Sequence, residues 1–568
     1  MLSGAALAQS SALPAHAPAV TQFFPEDQIR AGLHGVAYTV FQGVTPEPMA
    51  VEILGRLKDA LGPGEDMILA RLQGERPEYT GVVAGMSGSP VYIDGKLVGA
   101  LSYRIGQFSK EPIAGITPIA QMLQVRDDAT APRTGGSGGS TEMHAMETPL
   151  VFGSGYSAQA VTQFAERFRA LGLEPVAGLG SADSEARQPE PLEPGSAVSA
   201  VLVRGDLSMA GTCTVTYLDA TNLLACGHPI TQAGPVELPM TKATIVATLP
   251  SPLNAFKIVN TTETVGAFTQ DRANAVLGRF GQQARMIPVT VEVQLAGSPG
   301  PARTMHFEVL DNAKLTTPTM LVSIYQCLQQ SNTAAAEMTY RLDGSIRVAD
   351  QQPVRLHQVL GATASSTAEV NTALYVGERF DVLYANTVQR ARVEGLELHI
   401  VAQPARHTAV LESARLSRQE ARPGDELEAE AVLQPYRAPE QIVRLRFRLP
   451  TTLAAGDLRV VVSDGATVDR LLRGSSGDHA VALQDTVAML NATHPDDAVY
   501  VTLLDHQPQA ELTTRTLVDV PLSVVNVMQP LKDAQQLQLN GESVLEATQR
   551  PTADATSGFA VLHLTVRP

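Results

Sequence analysis

The run Gly85-Met86-Ser87-Gly88-Ser89-Pro90 has the make-up of a nucleophile turn. A serine hydroxyl attacks well only from a tight turn, with backbone N–H groups aimed where negative charge develops. Gly85 and Gly88 allow the backbone angles of such a turn. One known arrangement of the oxyanion hole takes its donors from the nucleophile and the residue two before it, which here would be Ser87 and Gly85. Pro90 then opens an apolar strand, and Asp94-Gly95 suits a type I′ turn before Lys96-Leu97-Val98. An ordinary polar loop has the same composition, so a base must be found.

The chain has 12 His. His34 lies in the serine half, between Leu33 and Gly35, and is one candidate. His228 is the better placed, at a strand end in Leu223-Leu224-Ala225-Cys226-Gly227-His228-Pro229, where a ring beside glycine can reach a cleft. A tight Gly-His-Pro turn would explain the same residue without chemistry.

Composition narrows the function classes. The 568 residues suffice for several domains, and 44% hydrophobic with 18% charged residues describes a globular chain. A net charge of −16 without a Lys/Arg cluster argues against nucleic acid as a partner. No apolar run reaches the ~20 residues of a membrane span. Residues 1–9 resemble the end of a signal peptide, with Ala6-Leu7-Ala8 as the cleavage site. Export to the periplasm, cell envelope or exterior is therefore expected. The 3 Cys are too few for a disulfide scaffold and lack metal spacing. With Leu218 facing Leu223, Cys226 faces Val215 and Cys213 is its diagonal neighbour. At the ~7–8 Å of a diagonal, a Cys213–Cys226 bridge is not expected without a register shift.

Short Val/Thr/Leu-rich runs punctuated by 45 Gly and 37 Pro predict a mostly β protein. Strand-like runs are Val36–Phe41, Val51–Leu57 and Met67–Leu72. Ser157–Leu171 reads as a helix, with Val161, Phe164, Ala165 and Phe168 on one face. Pro318–Asn332 is a second candidate helix. A flexible linker is expected at Thr130–Ser140 and a second, polar linker at about 180–195. Leu427–Leu433, Ile442–Leu449 and Leu458–Val462 suggest C-terminal β-sandwich domains.

Two segments together resemble the SpoIVB family of sporulation serine peptidases, which have a chymotrypsin-like fold. One is Val83-Ala84-Gly85-Met86-Ser87-Gly88-Ser89-Pro90 through Gly99-Ala100; the other runs from Gly211-Thr212 to Cys226-Gly227-His228, with similarity continuing through Thr264–Phe268 to Gly281. The resemblance covers about 20–125 and 195–285. It implies a serine endopeptidase with Ser87 as nucleophile, His228 as general base, and no metal or cofactor. The family places His before Ser, so the halves here are swapped. A triad is defined by geometry, so the swap is tolerable. The family's acid does not carry over; Asp271 is preferred and Asp66 is the rival. The expected layout is a leader remnant at 1–19, a Ser-bearing half-barrel at 20–125, and linkers with one helix at 126–195. A His-bearing half-barrel follows at 196–300, then a β-rich domain at 301–405 and a sandwich at 406–568. The partner would be an extended protein or peptide substrate, with the late β domains recruiting it or docking on a cell-envelope component. The alternative is an inactive peptidase-like barrel acting as an envelope binding or scaffold protein.

Overall fold

A computed structural model describes residues 13–568, except 19–20, 107–109, 128–142, 146–148, 179, 184, 232–233, 252–254, 299, 333–336, 474–480, 513–514, 519 and 534–536. The leader-like residues 1–9 and the Thr130–Ser140 linker fall outside the described residues. The protein is mostly β and forms two compact units. One takes residues up to Ile287 with Phe307–Ser323, the other Pro288–His306 with Ile324–Pro568.

In the first unit, six strands close a barrel in the Ser-bearing region. They are His34–Thr39, Glu47–Gly62, Glu65–Gln73, Pro90–Ile93, Lys96–Ile105 and Ile113–Pro118. Around the ring the order is first, second, third, sixth, fifth, fourth. The ring shuts where Val36 and Ala37 pair with Tyr92 and Val91. Alternation fills the interior with Ala37, Val51, Ile53, Ile68, Ala70, Leu72, Val91 and Ile116. The Asp94-Gly95 turn has φ values of 49° and 73°, as a type I′ hairpin requires.

A second barrel forms from Ala197–Gly205, Met209–Leu218, Asn222–Ala225, Gly234–Leu249, Phe256–Arg272 and Ala275–Phe280. Its strands pair in the same order around the ring. The ring shuts between Val198 and Lys242. Each expected half-barrel is thus a complete six-stranded ring, and the two share one topology. Tyr38, Tyr92, Leu97 and Ala100 of the first pack with Leu224, Ala275 and Leu277 of the second.

The stretch between the barrels does more than link them. Pro149–Phe152 and Glu174–Ala177 pair in parallel around the helix Ala158–Arg169. Ser157 caps that helix through the Ala160 N–H, and its buried face carries the predicted Val161, Phe164, Ala165 and Phe168. Pro149–Phe152 extends the second barrel by pairing with Met209–Gly211. The polar linker expected at about 180–195 is fastened at Gln188, whose N–H donates to Glu263 and whose carbonyl accepts from Lys242.

In the second unit Thr339–Val348 pairs with Val354–Gly361 and Val393–Gln403. The helix Ala368–Tyr384 buries Val376, Phe380 and Leu383. Residues 408–566 form a β-sandwich. Thr408–Leu416, Glu426–Pro435, Gln441–Arg448 and Ala555–Ser557 make one sheet; Gly456–Ser463, Ala498–Asp505, Ser543–Pro551 and Phe559–Val566 belong to the other. Leu411, Leu427, Leu433, Phe447, Val460 and Val501 share the core between them. Among the described residues no helix is long and apolar enough to cross a membrane.

The disulfide expectation is corrected. Cys213 and Cys226 are bridged, with Cα atoms 5.1 Å apart. Leu218 does face Leu223, but the register slips between Tyr217 and Val215, leaving Thr216 as a bulge. One extra residue turns the diagonal into bridging distance. Closing this loop stabilises by about 3 kcal/mol if the cost is chain entropy. Replacing both cysteines by Ala should lower the unfolding midpoint accordingly. Thiol counting of denatured, unreduced protein should find Cys327 alone; three reactive thiols would refute the bridge.

Candidate functional site

The serine turn is anchored from inside. Met86 is fully buried in the core of the first barrel. Gly85 and Gly88 both sit at φ 96°, where only glycine rests without strain. The Met86 N–H donates to the Val83 carbonyl at 3.0 Å, and the Met86 carbonyl accepts from the Ser89 N–H at 2.9 Å and Ser89 Oγ at 2.6 Å.

The second barrel grips the turn from outside. The Thr214 N–H donates to the Ser87 carbonyl at 2.7 Å, and Thr214 Oγ1 to the Gly85 carbonyl at 2.9 Å. Thr216 Oγ1, on the bulge, donates to the Gly88 carbonyl at 2.7 Å. A Cβ on Gly88 would collide with the Thr214 carbonyl and the Cys226 N. This contact sets the turn against the segment that carries His228.

That segment leaves its strand through two left-handed residues, Cys226 at φ 71° and Gly227 at φ 72°. The disulfide holds Cys226, and Thr117 Oγ1 of the first barrel donates to the Gly227 carbonyl at 2.7 Å. His228 follows, 1% exposed. Its Nδ1 lies 2.8 Å from the Pro229 carbonyl oxygen. A carbonyl can only accept, so the proton sits on Nδ1 and Nε2 keeps its lone pair. Burial draws the imidazole pKa down to about 4, against a smaller upward effect of the Pro229 carbonyl. The ring is a neutral base at neutral pH.

Four polar groups here are unspent. Ser87 Oγ and His228 Nε2 are buried without a hydrogen-bond partner, so they are not bonded to each other. Among the described residues neither the Gly85 nor the Ser87 N–H finds an acceptor. Buried polar groups are nearly always paired. The hydroxyl, the imidazole nitrogen and the two N–H donors are left unpaired on two segments that meet where Gly88 packs on Thr214 and Cys226.

The two acid candidates have other occupations. Asp271 is fully buried and accepts from the Ile230 N–H at 2.8 Å, the Thr231 N–H at 2.6 Å and Thr231 Oγ1 at 2.8 Å. It secures the loop just after His228. Asp66 binds Arg56 and accepts from the Asp59 N–H at 2.7 Å, bracing the hairpin of Glu47–Gly62 and Glu65–Gln73. His34 is exposed at the start of its strand, opposite Glu52.

Sequence reasoning passed over Lys257. It is 1% exposed, and its stem lies against Gly85. Its Nζ donates to Thr39 Oγ1 at 2.8 Å, and burial draws the amine pKa down to about 7. The available signal was parity, because Lys257 falls on the inward face of its strand with Val259 and Thr261.

Searches of protein families, characterised proteins and solved structures return no match to this chain.

Two outcomes follow. Unfolded, His228 protonates near pH 6.5; folded, near 4. The unfolded chain therefore binds the extra proton between those values. The stability held above pH 6.5 falls as the pH drops to about 4, by up to about 3 kcal/mol. Denaturant unfolding across this range should be flatter for His228→Asn; an identical slope would refute the buried neutral ring. Gly88→Ala should also destabilise by more than the roughly 1–3 kcal/mol of a strained backbone angle. Gly95→Ala, with φ 73° and open space around it, is the control. Equal losses would mean that the Thr214 contact does not matter.

Proposed function

We propose that this protein is an exported serine endopeptidase of the SpoIVB type that cleaves protein substrates through Ser87 and His228. The observation that carries the reading is that Ser87 Oγ, His228 Nε2, and the Gly85 and Ser87 N–H donors are all left without partners.

The chemistry uses each in turn. His228 Nε2 takes the Ser87 proton as Oγ attacks the scissile carbonyl carbon. The carbonyl oxygen becomes an oxyanion and accepts from the Gly85 and Ser87 N–H groups. His228 then protonates the departing amine, leaving an acyl-serine. Water, deprotonated by the same nitrogen, releases the acid and restores Ser87. The Pro229 carbonyl stabilises the imidazolium through Nδ1–H, the role usually given to a carboxylate. Asp271 keeps that carbonyl in place through the next two residues. An extended substrate segment suits the strand edges around the turn.

One observation favours the alternative. Ser87 is 0% and His228 1% exposed, so substrate must displace whatever covers them. Permanently closed, the double barrel would serve as an envelope binding or scaffold protein.

Fluorophosphonate labelling separates the two. Wild type should be labelled at Ser87, Ser87→Ala not at all, and His228→Ala slower by about 10³–10⁴-fold. Folded wild type without label, or label retained by Ser87→Ala, excludes the peptidase reading.

A further inference from the structure

Lys257 has no role in the chemistry above, yet it costs stability. A lysine at 1% exposure has lost its hydration, and among the described residues its amine has no carboxylate in ion-pair reach. Among the described residues its one hydrogen-bond partner is the Thr39 hydroxyl. A methionine would fill the same space without that cost. The question is what the amine does there.

Its surroundings belong to the nucleophile turn on both sides. The backbone around it forms a bridge with the turn's entrance: the Ala84 N–H donates to the Ala255 carbonyl at 2.9 Å, and the Lys257 N–H to the Ala84 carbonyl at 3.3 Å. The side chain then runs under the turn. Its Cβ, Cγ and Cδ would lie 3.6, 3.5 and 3.3 Å from a Cβ on Gly85. The amine ends at Thr39, the last residue of His34–Thr39 in the first barrel. Val36 pairs with Tyr92 and Ala37 with Val91, so the same register carries Thr39 to the level of Ser89. One side chain of the second barrel thus runs from the turn's entrance, at Ala84 and Gly85, to Thr39 at the end of a strand of the first barrel.

We propose that Lys257 is a positioning residue for the nucleophile turn, its stem supporting Gly85 and its amine tethered to Thr39 so that the Gly85 N–H is held toward the developing oxyanion. This rests on the reading of Ser87 as an acyl-transfer nucleophile. Lys257 touches no reacting atom; it acts through the direction of one peptide N–H. A donor misplaced by a fraction of an ångström is a poor donor, so loss of the tether shows in rate rather than in folding.

The test uses the full chain and the fluorophosphonate labelling rate at Ser87. Lys257→Met should slow labelling by about 10- to 100-fold, with a Tm equal to or above that of wild type. Thr39→Val should slow it similarly and Thr39→Ser should restore it. The double variant Lys257→Met/Thr39→Val should be no slower than Lys257→Met alone, because both remove one tether. A wild-type rate for Lys257→Met overturns the assignment. So does a rate loss that comes with a lowered Tm while Thr39→Val stays at the wild-type rate. If wild type itself is unlabelled, the functional reading fails separately. Hydrogen exchange over residues 84–88 then decides the tether: faster exchange in Lys257→Met and Thr39→Val upholds it, and unchanged exchange overturns it.

Discussion

The grip of Thr214 on the serine turn is the contact from which the rest of the site follows. Its N–H and Oγ1 hold the carbonyls of Ser87 and Gly85 on either side of Met86. The approach is close enough that residue 88 must be glycine. The same strand carries Cys213, so the bridge to Cys226 places His228 from the same foundation. With Thr214 elsewhere, the two segments would be unrelated loops on separate barrels. The Thr216 bulge shows how fine the adjustment is: it lets Cys213 reach Cys226 and supplies the hydroxyl that holds Gly88.

The site is organised around neutrality under burial. His228 and Lys257 both lie almost fully inside, and desolvation pulls both pKa values down. The imidazole is neutral, with its proton held on Nδ1 by the Pro229 carbonyl. A carboxylate on the ring would keep it charged more readily, and a buried charge is expensive. Asp271 gives its oxygens instead to the loop that carries Pro229.

Two rings with one strand order stand side by side in the first unit. Such a pair makes the order of Ser and His in the chain irrelevant, since either ring can present either residue at the shared boundary. The helix and parallel strands between the rings are ordered additions to the second one. The sandwich at 408–566 has a separate core, and its alternating strands match their sequence pattern closely.

Much of this was legible in the sequence. Asp94-Gly95, the helix face of Val161, Phe164 and Phe168, the alternation of Leu427–Leu433, and the two glycines around Ser87 are local signals. Each depends on residues a few positions apart, where backbone preference and side-chain parity decide the outcome. Tertiary structure alone decided the rest. The bulge at Thr216 reversed the disulfide expectation because one inserted residue shifts the pairing of every residue beyond it. Asp66 had the right residue type, but Arg56 occupies it. Lys257 reads in sequence as one charge in an alternating strand, and only the tertiary structure lays its stem against Gly85 and its amine on Thr39, more than two hundred residues earlier. Which polar groups end up unpaired depends on contacts between segments far apart in the chain, and no local pattern encodes those.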